Sequence, residues 1–477
     1  MNAINNFVLD LGTNLWNIVL VLAIIVGAYY AIKSKFIQAK LFPESIRLIK
    51  RQLNDDKQEG SVTGIQALAI TLGGAIGTGN VAGVAMAIVY GGPGAVFWMW
   101  LIALFSMLTS FLENTLSQLY KEKEGLVFRG GPMYYMEKAL GKRWIGVIYS
   151  ISMIISLGFA LAALQNNTIT LSFGQSLNIP REIISAIVTI LIGIVIFGGV
   201  TRIARVAETS VPFMTIVYLL ISISVLLVNF KDIPNIFILI FKSAFNFKAA
   251  GGGLIGATIY NGLKRGIFSN GAGQGDAPTA GGSSNVKHPA EQGILGTFAV
   301  FIDTIVVCTL TALIIISSGV YVTSDLVGIE LTQFATTSQL GSWVGIIFSL
   351  CIGLFCFTSI MSNYYCGETS LTYLSKGMKG RNFYRIIFVI SIFLGGITEV
   401  DLMWNIADLF CALIFLINLG SLLFLGNISL NVAKDYFNQK KYTDTPIFNP
   451  DSIKELKDKR VWSEIYKNYA QENVGDK

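Results

Sequence analysis

Residues 72–80, Leu-Gly-Gly-Ala-Ile-Gly-Thr-Gly-Asn, interrupt an apolar stretch that would otherwise cross a membrane as one helix. Helix-forming apolar sequence lies on both sides, from Ile65 to Ile70 and from Val81 to Val89. Each interior glycine costs a helix about 1 kcal/mol relative to alanine. A bilayer offers no water to the freed N–H and C=O groups, so irregular backbone belongs inside protein or beside a polar cavity. The break therefore predicts a ligand or ion site near mid-membrane. Close helix packing through small residues is the competing explanation. Thr78 and Asn80, two polar side chains among the glycines, favour the site.

Composition agrees with a membrane setting. The chain is 53% hydrophobic and only 13% charged, with a mean hydropathy of +0.61, against about 25% charged residues in soluble domains. Apolar runs of about 20 residues predict an all-α membrane protein of about eleven spans. They fall at 15–32, 63–90, 94–119, 145–171, 183–199, 210–229, 252–284, 292–319, 342–374, 384–397 and 404–425. An amphipathic connector occupies 33–60, and a charged, partly helical tail, 427–477, is expected to be soluble. The five cysteines are odd in number and lack metal-ligand spacing, which argues against a disulfide framework or zinc site. No signal peptide is visible, because the first basic residue, Lys33, follows the first apolar run.

Orientation follows from lysine and arginine. With the connector in the cytoplasm, 29 of 35 basic residues fall on that side or in the tail. The opposite loops hold Arg181, Lys231, Lys242 and Lys248, while Lys264 and Arg265 sit in the second broken segment. This predicts a multi-pass plasma (inner) membrane protein with the N-terminus outside and the C-terminus cytoplasmic. It also accounts for the net charge of +6 without a nucleic-acid partner.

A second glycine-rich interruption, Phe268-Ser269-Asn270-Gly271-Ala272-Gly273-Gln274-Gly275-Asp276, lies in the seventh run. It is not a nucleotide loop, since no strand precedes it. If the first span is set aside, ten remain, and the breaks fall in the first and sixth. Breaks at corresponding places in two five-helix halves point to an inverted-repeat transporter, with repeats at 63–229 and 252–425 inside a transmembrane unit of 1–426. Helix N-termini favour an anion and unwound carbonyls a cation, so an amino-acid zwitterion suits such a site.

The stretches from Gly77 to Ala85, from Gly91 to Trp100, from Gly130 to Tyr135, from Lys264 to Asn270 and from Ile302 to Thr304 resemble the alanine/glycine:cation symporter family. The resemblance runs from about Leu15 to Leu425. It implies a leucine-transporter-type 5+5 inverted repeat with one extra N-terminal helix, and Na⁺-coupled uptake of small neutral amino acids. On the same resemblance, Thr78, Gly79 and Asn80 would meet the substrate carboxylate. Gln165, Phe268, Gly271, Gly273, Gln274 and Trp404 would complete the pocket, although an interfacial anchor is an equal reading of Trp404. Thr358 and Ser359, with the carbonyls of Gly73, Ile76 and Phe355, match the sodium site of that fold. Taken alone, a Thr-Ser pair in a membrane helix more often bonds its own carbonyls one turn back.

This chain departs from many members, which have glutamate at the Gly271 position and leucine at the Gln274 position. Asp276 is unusual, and Asn363 stands where a bulky aromatic is expected. A more polar pocket implies glutamine or serine as substrates beside alanine and glycine. Asp303, halfway along its span, faces the cation path or pairs with a basic residue of the second break; proton coupling through it is the alternative to Na⁺. Glu113 and Glu368 read as structural, Asp408 as ambiguous, and the one histidine, His288, falls in a loop. A channel would want a repeated filter, and an intramembrane enzyme a nucleophile–base pair or metal cluster; neither is evident. The expected partners are a small neutral amino acid, sodium and the bilayer, with no cofactor beyond Na⁺ and no obligate protein partner evident.

Overall fold

The computed structural model describes residues 2–53, 62–125, 127–245, 253–375, 380–398 and 400–475. Lys57, Lys248, Lys376, Lys379 and Lys477, counted above for orientation, and Gly252, the expected start of the second broken segment, lie outside them. The described chain is helical apart from short elements such as the hairpin of Glu122–Glu124 and Val127–Arg129.

Seven of the described helices are long and apolar enough to cross a membrane, and eight if the pair Gly64–Ala75 and Gly79–Gly91, bent by 47°, is one span. The expected count is larger by three segments. Arg181–Ile196 and Arg381–Ile397 are apolar but only 16 and 17 residues long, about 24–26 Å at 1.5 Å per residue. The third, Gly253–Asn270 followed by Asp276–Gly281, is split by its glycines.

Why the first helix breaks where it does is visible in its backbone. Thr63 caps the first half, its hydroxyl accepting from the Gln66 amide while the Gln66 side chain accepts from the Thr63 amide. The helix ends at Ala75, and Ile76 turns extended at ψ 102°. The second half restarts as a π-helical turn, Gly79–Gly83. Two further π-helical stretches, Ser156–Leu161 and Phe301–Cys308, occur in neighbouring helices. Such turns widen a helix locally and are frequent at functional sites.

The second break is made by a different device. Gly271, Gly273 and Gly275 have φ of +64°, +94° and +100°, conformations that other residues enter only with strain. At Gly275 a β-carbon would also fall on the Tyr149 hydroxyl and Pro132.

The first helix, Asn2–Lys33, packs along the last of the long apolar helices, Val400–Gln439. Trp16 is buried there and donates its indole N–H to the Asp408 carbonyl at 3.1 Å. This long apolar helix continues past the expected end at Leu425 to Gln439. The chain beyond it folds back onto the core: Phe448, Ile453, Leu456 and Trp462 are buried, and Trp462 donates to the Gln118 carbonyl at 2.9 Å.

Candidate functional site

The two breaks face each other across a small cavity, about 30 Å³ in volume. A water-sized group needs about 10–15 Å³ by this measure, so even the smallest amino acid requires the surrounding helices to part. Of the expected site residues, Gly79, Gln165, Phe268, Gly271, Gln274, Ser359 and Asn363 line it. The cavity also takes in Gly74, Ala75, Leu157, Leu161, Ser269 and Asp276, none of which was put among the binding residues. Leu157 and Leu161 belong to the π-helical stretch after Ile155, which no apolar periodicity signals.

Thr78, Asn80, Gly273 and Trp404 stand one layer behind. The Thr78 amide and hydroxyl both donate to Gln165 Oε1, at 3.0 and 2.7 Å, which fixes that side chain against the first break. Asn80 closes the turn by accepting from the Gly77 amide at 3.0 Å and donates Nδ2 to Asp303 Oδ1 at 2.6 Å. Trp404 packs on Phe268 with ring centroids 5.8 Å apart, and the Arg265 guanidinium lies 5.3 Å from the Trp404 ring.

Asp303 is the staple between the breaks. Besides Asn80 from the first, it accepts from the Ser269 hydroxyl of the second at 2.9 Å and from Thr304 at 2.8 Å. Its partners are thus neutral donors, whereas a basic partner was one of the two expectations. The lysine of the second break, Lys264, pairs instead with Asp408 at 2.6 Å. Glu113 holds the second break from behind, receiving the Gly273 amide at 3.0 Å and the Asn418 amide at 2.9 Å, while Asn418 also donates to the Gly273 carbonyl at 3.0 Å. Glu368 takes Arg129 at 3.2 Å, and His288 caps a helix and contacts Asp435 at 3.1 Å.

Oxygen atoms gather where the first half-helix ends against Val344–Ser375. Thr358 Oγ1 lies 3.1 Å from the Gly73 carbonyl and 2.9 Å from that of Phe355, and also 3.1 Å from the Leu354 carbonyl. Ser359 donates to the Gly74 carbonyl at 2.8 Å. Ile76 is buried at the end of the same half-helix. A hydroxyl whose proton turns away presents its oxygen, so Thr358 and the carbonyls of Gly73 and Phe355 form an all-oxygen donor set, the kind a hard cation takes.

Sequence comparison assigns this architecture to a family. The profile described as the sodium:alanine symporter family matches residues 1–450. The chain belongs to that family. Among its relatives, the probable sodium/glutamine symporter GlnT of Bacillus subtilis is 39% identical over 449 residues, covering 94% of each chain. The sodium/alanine symporter AgcS of Methanococcus maripaludis is 35% identical over 450 residues, 92% of this chain and 97% of that one. In fold, the chain is similar to a manganese transporter from Eremococcus coleocola, with a TM-score of 0.53 at 11% identity over 87% of this chain and 94% of that one. The family and its apolar helices make this a multi-pass membrane transporter and not an enzyme.

Proposed function

We propose that the protein is a Na⁺-coupled symporter that carries small neutral amino acids, alanine or glycine with serine or glutamine, into the cell by alternating access. In this reading it has eleven transmembrane helices: the extra helix at 15–32 and two inverted five-helix repeats, 63–229 and 252–425, of leucine-transporter type. The N-terminus is outside and the tail from 427 is cytoplasmic.

The observation that carries the reading is the contact of Thr358 with Gly73 and of Ser359 with Gly74. These hydroxyls tie the helix 344–375 to the broken helix through carbonyls that the break leaves free. A sodium ion held by Gly73, Ile76, Phe355, Thr358 and Ser359 would strengthen that tie. It would favour the arrangement in which Gly79, Gln165, Phe268, Gly271, Gln274 and Asn363 close on the substrate. Thr78, Asn80, Gly273 and Trp404 position that lining from behind. Coupling then needs only that ion and substrate both bind one arrangement better than the other. Relatives named for glutamine and for alanine support the polar, small-substrate range.

Uptake of labelled alanine into proteoliposomes, with and without an inward Na⁺ gradient at fixed pH, tests this, with glycine, serine and glutamine as competitors. Na⁺-driven accumulation supports the reading. Uptake that ignores Na⁺ and follows a proton gradient would replace it with proton coupling, for which Asp303, with its three hydrogen-bond donors, becomes the carboxylate to examine.

A further inference from the structure

Asp276 begins the short helix after the second break, is only 8% exposed, and lines the central cavity. Among the described residues its Oδ1 has no hydrogen-bond partner. Glycines make room for it: a β-carbon at Gly271 would lie 2.8 Å from Oδ1, and one at Gly74 would lie 3.9 Å from Oδ2. The carboxylate therefore sits between the two breaks with its oxygens toward backbone that carries no side chains.

The other acids nearby are engaged. Asp303 accepts from Asn80, Ser269 and Thr304, Glu113 holds the Gly273 amide and Asn418, and Asp408 pairs with Lys264. The nearest basic groups are turned elsewhere, Lys264 to Asp408 and Arg265 over the rings of Phe268 and Trp404. Backbone amides of Asp276 and Ala277 reach the carboxylate, but Oδ1 keeps no partner, and a buried charged oxygen is costly unless a cation or strong donor reaches it. The cavity is too small for a long basic side chain, and the cationic group that every amino-acid zwitterion brings is its α-ammonium. At the opposite wall the helix restarting at Gly79 offers the N-terminal polarity that favours a carboxylate.

We propose that Asp276 receives the α-ammonium of the transported amino acid and thereby restricts transport to amine-bearing zwitterions, excluding hydroxy acids and simple carboxylates of the same size. The inference rests on the amino-acid symport reading.

The test is equilibrium binding of labelled L-alanine, L-serine and L-glutamine to the purified full-length protein, with L-lactate as competitor, for wild type, Asp276→Asn and Asp276→Glu. Na⁺-dependent thermal stabilisation, measured without amino acid, reports folding and the cation site separately. Removing a charge-assisted hydrogen bond predicts affinity for the bound amino acid roughly 10- to 100-fold weaker in Asp276→Asn. Lactate fails to compete with wild type, Asp276→Glu recovers part of the affinity, and the Na⁺ response stays within about twofold. Amino-acid binding unchanged in Asp276→Asn overturns the inference alone, as does a variant that loses its Na⁺ response while keeping amino-acid affinity. Wild type that binds none of the three overturns both this inference and the symport reading.

Discussion

The two broken helices solve one problem in opposite ways. At the first break, side chains satisfy the freed backbone: Asn80 accepts from the Gly77 amide and Gln165 from that of Thr78. At the second, glycines with positive φ shape the turn, and distant groups hold it, Glu113 and Asn418 at Gly273 and the Tyr149 hydroxyl at the Gln274 carbonyl, 2.6 Å away. The first break has its polar groups spoken for and offers carbonyls to Thr358 and Ser359; the second leaves a carboxylate facing the cavity. The difference teaches a division of labour, in which the first break suits an ion and the second suits the group that tells substrates apart. The two are joined at mid-span by Asp303 and at one end where Asn285 donates to the Val62 carbonyl at 2.9 Å.

Glycine substitutions separate the two devices most sharply. Gly275→Ala adds a strained φ, about 1–2 kcal/mol, to a collision with Tyr149 and Pro132 of about 1–3 kcal/mol. It is expected to lower the melting temperature strongly and abolish uptake. Gly83→Ala, in the restarting first helix, meets nothing closer than Arg265 Cδ at 4.0 Å; it should fold as well as wild type, or gain up to about 1 kcal/mol of helix propensity. Equal damage from both, read by thermal unfolding in detergent, would erase the distinction.

Asp303→Ala removes the joint between the breaks. It takes away the shortest acceptor of Asn80 Nδ2, which keeps the Asp303 backbone carbonyl at 3.2 Å, and leaves the hydroxyls of Ser269 and Thr304 to turn elsewhere; each buried group left less than satisfied costs up to about 1–3 kcal/mol. Asp303→Asn keeps an acceptor and should cost less. The ordering Ala worse than Asn in both melting temperature and uptake is the expected outcome; identical values would mean that charge alone matters at this position.

Thr358→Ala should raise the Na⁺ concentration for half-maximal uptake roughly tenfold, about 1.4 kcal/mol, with Thr358→Ser near wild type. Ser359→Ala, which touches one carbonyl where Thr358 touches three, should shift it by only a few-fold. A reversed order would move the proposed cation toward Gly74.

Much of this arrangement could be read beforehand because membranes punish irregular backbone. Glycine clusters inside apolar runs marked both breaks, whereas Thr358 and Ser359 were singled out only through the family resemblance, since a Thr-Ser pair alone more often bonds its own helix. What could not be read was partner choice. Thr78 and Asn80 look like free polar groups in the sequence, yet Gln165 and Asp303, 87 and 223 residues away, claim them. Asp303 itself meets hydroxyls and an amide, a choice set by the packing of three helices. The π-helical turn that brings Leu157 and Leu161 to the cavity carries no periodic signature, and the helix from Val400 runs through Gln439 because its polar end is covered by the returning chain.

The smallest expected effect concerns the end at which the two broken helices meet. Lys121, beyond the membrane helix that ends at Leu119, donates to the Ser284 carbonyl at 3.0 Å and lies 4.7 Å from the Trp462 ring, so it pins the junction and the returning chain together. Burial pushes its ammonium down from 10.5 to about 7, opposed in part by Glu291. When the returning chain lifts off, the lysine regains water and its ordinary affinity for a proton. Between about pH 7 and 10.5 the opened form therefore binds more protons than the docked form, and docking tightens as pH rises through that window. Limited proteolysis of the segment after Gln439 should slow across this range in wild type and show no such slope in Lys121→Met. If the variant keeps the slope, another group titrates there, and the link from Lys121 to the shared end of the two breaks loses its support.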